Sequence, residues 1–121
     1  MVVTVEGVLT GEDMDNLIPR CGKRIIFKGN GKAFLSRSAA SVLADSGTLL
    51  IGTDADSIAV DFDEVQTHQE LARGGIAVLE NLDLSAVKDG EYTLYAFPLK
   101  IKNAEAAPCR AVLMLQEKGL Y

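Results

Sequence analysis

Residues 48–84 read TLLIGTDADSIAVDFDEVQTHQELARGGIAVLENLDL, and the fold class follows from the order of patterns within them. The apolar run at 48–51 predicts a buried strand, which is followed by an acidic loop from Asp54 to Glu64. A helix with apolar positions three and four residues apart comes next and ends at Gly74 and Gly75. The continuous apolar run at 76–79 then predicts a strand covered on both faces. Strand, helix and strand in this order are typical of an α/β domain.

The sequence on either side of this segment adds elements of the same kinds. A stripe of Ala39, Val42 and Leu43 predicts another helix that packs on a core. Further apolar and β-branched runs predict strands at 2–5, 24–27, 92–101 and 109–116. We expect the last two strands to pair antiparallel. Together these elements predict one α/β domain over residues 1–121, with a mixed β-sheet and flanking helices.

Length, charge and cysteine content narrow the class of protein. The 121 residues suit a single domain, and 12 basic against 17 acidic residues give a formal net charge of −5. The basic residues are scattered, so we expect no nucleic-acid partner, and no apolar run approaches the ~20 residues that cross a membrane. Cys21 and Cys109 fit no metal or redox spacing. We therefore predict a cytoplasmic domain without a membrane partner.

Gly29 to Lys32 form a glycine-rich segment that could be a turn or a phosphate-binding loop. A phosphate-binding loop needs a glycine five residues before its Gly-Lys pair and a hydroxyl residue after it. Ile26 and Ala33 stand at those positions. The Asn-Gly pair accepts positive φ at low cost, so the segment is predicted to be a turn.

His68 and Glu80 are the two residues best suited to act together, as metal ligands or as a hydrogen-bonded pair. His68 is the only histidine, and it shares a helical stripe with Val65, Leu71 and Ala72, which predicts that it points at the core. Glu80 ends the apolar strand 76–79. From His68 the helix continues for about 7–8 Å to the glycines, and the strand then returns for about 13 Å to Glu80. Because the two lengths run in opposite directions, the residues end about 6 Å apart along the axis. The pair could bind zinc or manganese, or form a His–Glu hydrogen bond without an ion.

The acidic loop carries no recognisable ion site. A calcium loop would need other residues where the chain has Ile58, Ala59 and Val65, so most of these carboxylates are expected to be solvated. Asp54 lies at the rim where open α/β sheets keep ligands, or it could stabilise the next helix. No nucleophilic triad is convincing, because Cys109 is placed inside a strand and Cys21 in a loop.

Several segments of the chain resemble the cyclase family of metal-dependent hydrolases, which includes kynurenine formamidases and isatin hydrolases. The likeness spans residues 23–115 and includes a histidine and a glutamate that lie twelve residues apart. The segments that carry it are LIGTDADSI (50–58), His68, GIAVLENLDL (75–84), GEYTL (90–94), FPLKI (97–101) and APCRAV (107–112).

This resemblance implies a fold, a cofactor and a reaction. It implies a swivelling β/β/α-type cyclase fold, in a homo-oligomer such as a dimer, with His68 and Glu80 as metal ligands. It implies a divalent metal, zinc or manganese, and hydrolysis of a C–N bond in a small-molecule amide or formamide. Family members have further ligands in a motif His-x-Gly-Thr-His-x-Asp-x-Pro-x-His, which this chain lacks. Because that motif is absent from the chain, no catalytic acid or base is assigned to it.

The chain therefore resembles the C-terminal half of such an enzyme. We expect it to hold a metal weakly alone, to be inactive alone, and to need a complementing N-terminal half. The alternative is a non-catalytic assembly or small-molecule-binding domain that keeps the cyclase fold.

Overall fold

The strands predicted at 24–27 and 48–51 form the centre of a four-stranded parallel sheet. In the computed structural model, which describes residues 1–116, contacts divide the chain into two compact units, Met1–Gly90 and a second unit that begins at Glu91. The elements of the first unit are β1 (Val2–Thr4), β2 (Gly7–Leu9), α1 (Gly11–Cys21), β3 (Arg24–Lys28), β4 (Ala33–Leu35), α2 (Arg37–Asp45), β5 (Leu50–Thr53), α3 (Glu64–Arg73) and β6 (Ala77–Leu79), with a 3₁₀ turn at Asp61–Asp63.

The strand order of the main sheet is β1-β3-β5-β6, and every neighbouring pair is parallel. The register aligns Ile25 with Ile51 and Ile51 with Val78, so one row of apolar side chains runs across one face. This face packs on three neighbouring helices, which bury Met14, Leu43 and Leu71 against it; α1 contacts α2, and α2 contacts α3.

The opposite face of the sheet is also covered, which explains the unbroken apolar runs of β3 and β5. Ile26 is buried there, and a Cβ atom on Gly52 would lie 3.1 Å from Leu82 and 3.2 Å from Ile26. A glycine at this position therefore lets the segment after β6 pass close to the sheet. The prediction that β6 is covered on both faces is wrong, because Ala77 is exposed and Val78 and Leu79 are only partly buried.

Two short strands were not predicted from the sequence. β2 and β4 form a separate two-stranded parallel sheet in which Val8 aligns with Phe34. Each strand has only three residues, too few for an alternating pattern to be recognised. The predicted turn at Gly29–Lys32 is confirmed, because Asn30 and Gly31 have φ of 52° and 75° and the Lys32 N–H bonds to the Gly29 carbonyl.

The second unit contains the antiparallel pair predicted for the end of the chain. Its strands are β7 (Tyr92–Pro98) and β8 (Cys109–Leu115), and they pair over their whole length from Tyr92 opposite Leu115 to Pro98 opposite Cys109. The α/β class, with parallel strands and flanking helices, is confirmed. The antiparallel pair forms a sheet of its own instead of joining the parallel strands in one mixed sheet. That residues 1–121 act as one domain stays a prediction.

Within the described residues, no helix is long and apolar enough to cross a membrane.

Candidate functional site

The candidate site lies where α3 and the end of β6 meet. His68 is in the middle of α3, and Glu80 directly follows β6. The distance from His68 Nε2 to Glu80 Oε2 is 3.4 Å, and the two side chains are 38% and 33% exposed. The expectation that these residues face one another across the helix–strand unit is therefore confirmed. Both groups remain open to solvent and to additional ligands.

The position of the imidazole proton follows from the partner of His68 Nδ1. Nδ1 lies 2.9 Å from the backbone carbonyl oxygen of Glu64, one helical turn earlier. A carbonyl oxygen only accepts hydrogen bonds, so Nδ1 must carry the proton. In the neutral ring, Nε2 then presents a lone pair to the Glu80 carboxylate. This tautomer is the one that metal-binding histidines adopt when their other nitrogen donates to a carbonyl.

Glu80 is oriented by a backbone donor. The N–H of Ile58 donates to Glu80 Oε2 over 2.7 Å, and this is the same oxygen that faces His68. Because Ile58 is fully buried, the donor is fixed by the surrounding core. The carboxylate is thus held in one orientation, while part of its surface stays exposed.

Two lone pairs, one on His68 Nε2 and one on Glu80 Oε2, face each other at 3.4 Å, an arrangement that a positive charge between or beside them would stabilise. A second proton on the imidazole would supply that charge as an ion pair, and a metal ion would supply it with both side chains as its ligands. Two donors bound at about 2.1 Å to one tetrahedral ion lie about 3.4 Å apart, so the donor set fits such an ion. Among residues 1–116, no group of three or more His, Cys, Asp or Glu side chains could hold a metal. The role of His68 and Glu80 as ligands stays a prediction.

The helix that carries His68 is anchored on α2. Thr67 and Leu71 form its buried face, and a Cβ atom on Gly74 would lie only 2.7 Å from the Ala44 backbone. Arg73 contacts Glu70 on its own helix and Asp45 on α2. Hydrogen bonds to Glu70 and then Asp45 raise the pKa of the Arg73 guanidinium. Close packing and paired charges therefore fix α3 at its C-terminal end.

The predicted apolar stripe of α3 is wrong in one respect. Val65 is 64% exposed and Ala72 is exposed, whereas Leu71 is buried. The helix turns its Thr67–Leu71 side to the core. Because threonine gives no apolar signal, the predicted stripe is centred about 90° around the helix axis from the buried face. His68 consequently lies at the edge of the buried face instead of pointing into the core.

Asp54 is at the rim of the sheet, as expected, but it does not cap α3. Its carboxylate accepts backbone hydrogen bonds from the turn at Gly29, Asn30 and Gly31. Of the other loop carboxylates, Asp56, Asp61 and Glu64 are exposed, in agreement with the expectation that most are solvated; Asp63 accepts from the Arg37 N–H.

The cysteines differ from their predicted surroundings. Cys21 is the buried last residue of α1, which continues through Pro19, and burial raises the pKa of its thiol. Cys109 begins β8 and is exposed, so it is not a strand-interior residue. Both thiols are free.

Two functional contacts were missed by sequence reasoning. They are the Glu64 carbonyl and the Ile58 N–H, which orient His68 and Glu80. Both are backbone groups that every residue type carries, so no residue pattern could have indicated them.

The chain resembles known proteins both in sequence and in fold. No family model matches the chain. It is 49% identical over 72 residues to a kynurenine formamidase of Paracidovorax citrulli, a match that covers 59% of this chain and 33% of that protein. It is 41% identical over 80 residues to a kynurenine formamidase of Bacillus cereus, covering 65% of this chain and 38% of the relative. The chain thus spans little more than a third of the curated relatives it matches.

Solved structures share the fold over most of this chain. A potential metal-dependent hydrolase with cyclase activity superposes with a TM-score of 0.83 at 29% identity, covering 93% of this chain and 62% of the other. A predicted metal-dependent hydrolase from Bacillus stearothermophilus gives the same TM-score and identity, with 60% of its chain covered. These matches confirm the resemblance to the cyclase family of metal-dependent hydrolases, C-terminal half. Within that family, the matched sequence relatives are kynurenine formamidases.

Proposed function

We propose that this chain contributes His68 and Glu80 to the divalent metal centre of a hydrolase that cleaves the C–N bond of an amide or formamide. The observation that carries the proposal is the 3.4 Å approach of Nε2 to Oε2, with the imidazole proton held on Nδ1. The kynurenine formamidase and metal-dependent hydrolase relatives support the reaction class. N-formylkynurenine is the substrate we propose to test first.

Zinc or manganese is the ion that we propose for this pair, because imidazole and carboxylate ligands suit both. When bound, such an ion polarises a carbonyl group and makes water a nucleophile near neutral pH. Within the chain, the Glu64 carbonyl keeps the Nε2 lone pair free, and the Ile58 N–H keeps Glu80 turned towards it. These contacts orient both ligands before the metal arrives.

The proposed centre needs ligands in addition to these two. Catalytic zinc sites have three protein ligands, and the described residues group no third one with His68 and Glu80. We propose that a complementing N-terminal half, or another chain in a homo-oligomer, supplies them together with the catalytic acid or base. Two large apolar side chains next to His68 along the chain, Phe62 and Val65, are 83% and 64% exposed, which supports a contact surface there. A cytoplasmic setting is part of the proposal and agrees with the two free cysteines.

Calorimetry with zinc tests the metal assignment on chain prepared without a histidine tag. We expect loose binding that disappears in His68→Ala and Glu80→Gln, because each change removes one of two donors. Glu12→Gln, in the first turn of α1, is the matched control and should bind like the unaltered chain. Tight zinc binding that survives His68→Ala would put the site elsewhere and overturn the assignment.

Reconstitution tests the reaction. The isolated chain should not hydrolyse N-formylkynurenine, and addition of a fragment with the histidine-rich motif should restore hydrolysis. Glu80→Gln should abolish the restored activity. Metal-dependent turnover by the isolated chain would show that residues other than those proposed catalyse the reaction.

A second candidate is a non-catalytic assembly or small-molecule-binding domain. It is favoured by a cavity of about 690 Å³ at the ends of β1 and β3, lined by residues that include Thr4, Lys28, Asn30 and Lys32. Ligand binding that depends on Lys32 and is indifferent to His68→Ala would support this candidate over the hydrolase.

A further inference from the structure

The carboxylate of Asp54 is bound by three consecutive backbone donors. The N–H groups of Gly29 and Gly31 each donate to Oδ1 over 3.1 Å, and that of Asn30 donates to Oδ2 over 2.9 Å. Asn30 and Gly31 both have positive φ, which turns successive N–H groups to the same side. A concave set of amides of this kind binds anions, and here the anion is a side chain of the protein itself.

Residues 53–58, which include Asp54, bond both to the backbone that follows Glu80 and to the Glu80 carboxylate. On the backbone side, the Ala55 carbonyl accepts from the Asn81 N–H at 2.8 Å, and the Thr53 carbonyl accepts from the Leu82 N–H at 3.0 Å. On the side-chain side, the Ile58 N–H donates to Glu80 Oε2. The position of residues 53–58 therefore determines where the Glu80 carboxylate lies.

We infer that Asp54 is a positioning residue for Glu80. Its carboxylate fastens residues 53–58 to the turn at 29–31, and those residues fasten Glu80 opposite His68. Charge-assisted hydrogen bonds are about twice as strong as neutral ones, so three of them on one carboxylate make a firm anchor. Asp54 acts through Glu80 and does not contact the proposed metal itself. The inference rests on the proposed function where it concerns the metal, and on the hydrogen bonds alone where it concerns Glu80.

Asp54→Asn is the variant that tests this role. It preserves size but removes the charge, and its amide NH₂ group would face donors instead of accepting from them. We expect zinc to bind about tenfold more weakly, at the lower end of the range for residues that orient metal ligands. Asp89→Asn is the matched control, because that carboxylate accepts two hydrogen bonds from Thr4 at the end of β1 and has no link to Glu80. The control should bind zinc within about twofold of the unaltered chain.

Hydrogen exchange provides a measurement that does not depend on metal. In the metal-free protein, Asp54→Asn should speed exchange of the Ile58 amide, while the Ile26 amide in the middle of the sheet stays protected. Gly31→Ala disturbs the same anchor from the donor side, because φ of 75° strains any residue with a Cβ, and it should have the same effect.

The outcomes separate this inference from the proposed function. If the unaltered chain shows no zinc binding that depends on His68, the metal proposal is overturned. Hydrogen exchange of the Ile58 amide would then still decide the role of Asp54. Unchanged Ile58 exchange in both variants, or equal loss of zinc affinity in Asp54→Asn and Asp89→Asn, would overturn the positioning role.

Discussion

Apolar side chains of similar kinds are buried in the first unit of the chain and exposed in the second. In the sheet of the first unit, Phe27 is 1% exposed, because its ring lies in the core between the sheet and the helices. In the hairpin formed by β7 and β8, Phe97 is 65% exposed, and Met114 and Leu115 are exposed as well. Tyr95 and Phe97 stack on one another with ring centroids 6.5 Å apart.

The difference shows that apolar content does not determine burial. A strand between two others can be covered on both faces by helices and loops of its own unit. A two-stranded ladder has two edges and no third strand, and such a hairpin is at best marginally stable alone. Its apolar face is therefore available for association, whereas the apolar face of the parallel sheet provides stability.

The largest contrast should come from truncating the two phenylalanines. Phe27→Ala removes a fully buried ring and should lower the free energy of unfolding by about 3–5 kcal/mol. Phe97→Ala removes an exposed ring and should lower it by less than about 1 kcal/mol. Urea denaturation followed by circular dichroism measures both. Equal losses would mean that the hairpin face is covered in solution.

Within the first unit, Gly74→Ala should reveal how closely the helices pack. Its Cβ would lie 2.7 Å from the Ala44 backbone, so α3 must move away from α2. We expect a loss of about 1–3 kcal/mol, the usual effect of overpacking. Thermal unfolding measures the loss, and an unchanged midpoint would show that the contact between α2 and α3 is looser than described.

In the hairpin, polar substitution should change association more than stability. Tyr95→Ser combined with Phe97→Ser removes the stacked rings and should shift the chain from dimer or larger towards monomer in sedimentation velocity. Val8→Ser, which alters an exposed apolar residue of β2, is the control and should leave the distribution unchanged. A distribution that responds to Val8→Ser instead would place the association surface in the first unit.

The smallest expected effect concerns pH and the first unit. Hydrogen bonds from the Thr4 hydroxyl and N–H lower the pKa of the Asp89 carboxyl. A carboxyl whose pKa is lower in the folded protein stabilises it above the unfolded pKa, near 3.9, and the stabilisation is lost as pH falls through the folded value. Because Asp89 is exposed, the contribution is at most about 0.5 kcal/mol. The stability difference between unaltered chain and Asp89→Asn should shrink below about pH 4.

Much of the fold could be predicted because it depends on patterns with a known period. The apolar runs at 24–27 and 48–51 correspond to β3 and β5, and Gly74 and Gly75 mark the end of α3. The approach of His68 to Glu80 also followed from residue counts, since helix rise and strand rise are fixed quantities.

The features that escaped prediction depend on tertiary contacts. The three-residue strands β2 and β4 exist because they pair with each other, and neither has a pattern of its own. The buried face of α3 includes Thr67, a polar residue type that an apolar pattern does not contain. The orientation of both site residues depends on backbone groups of Glu64 and Ile58, which have no signature in the sequence.

The central claim, that His68 and Glu80 share one metal ion, is tested most directly by nuclear magnetic resonance of the imidazole nitrogens. The chain has one histidine, so both nitrogen resonances are assigned without ambiguity when no tag is present. On addition of zinc, we predict a shift of the Nε2 resonance while Nδ1 keeps its proton and its bond to the Glu64 carbonyl. The shift should be lost in Glu80→Gln. Zinc that leaves Nε2 unchanged, or that binds through Nδ1, would contradict the account.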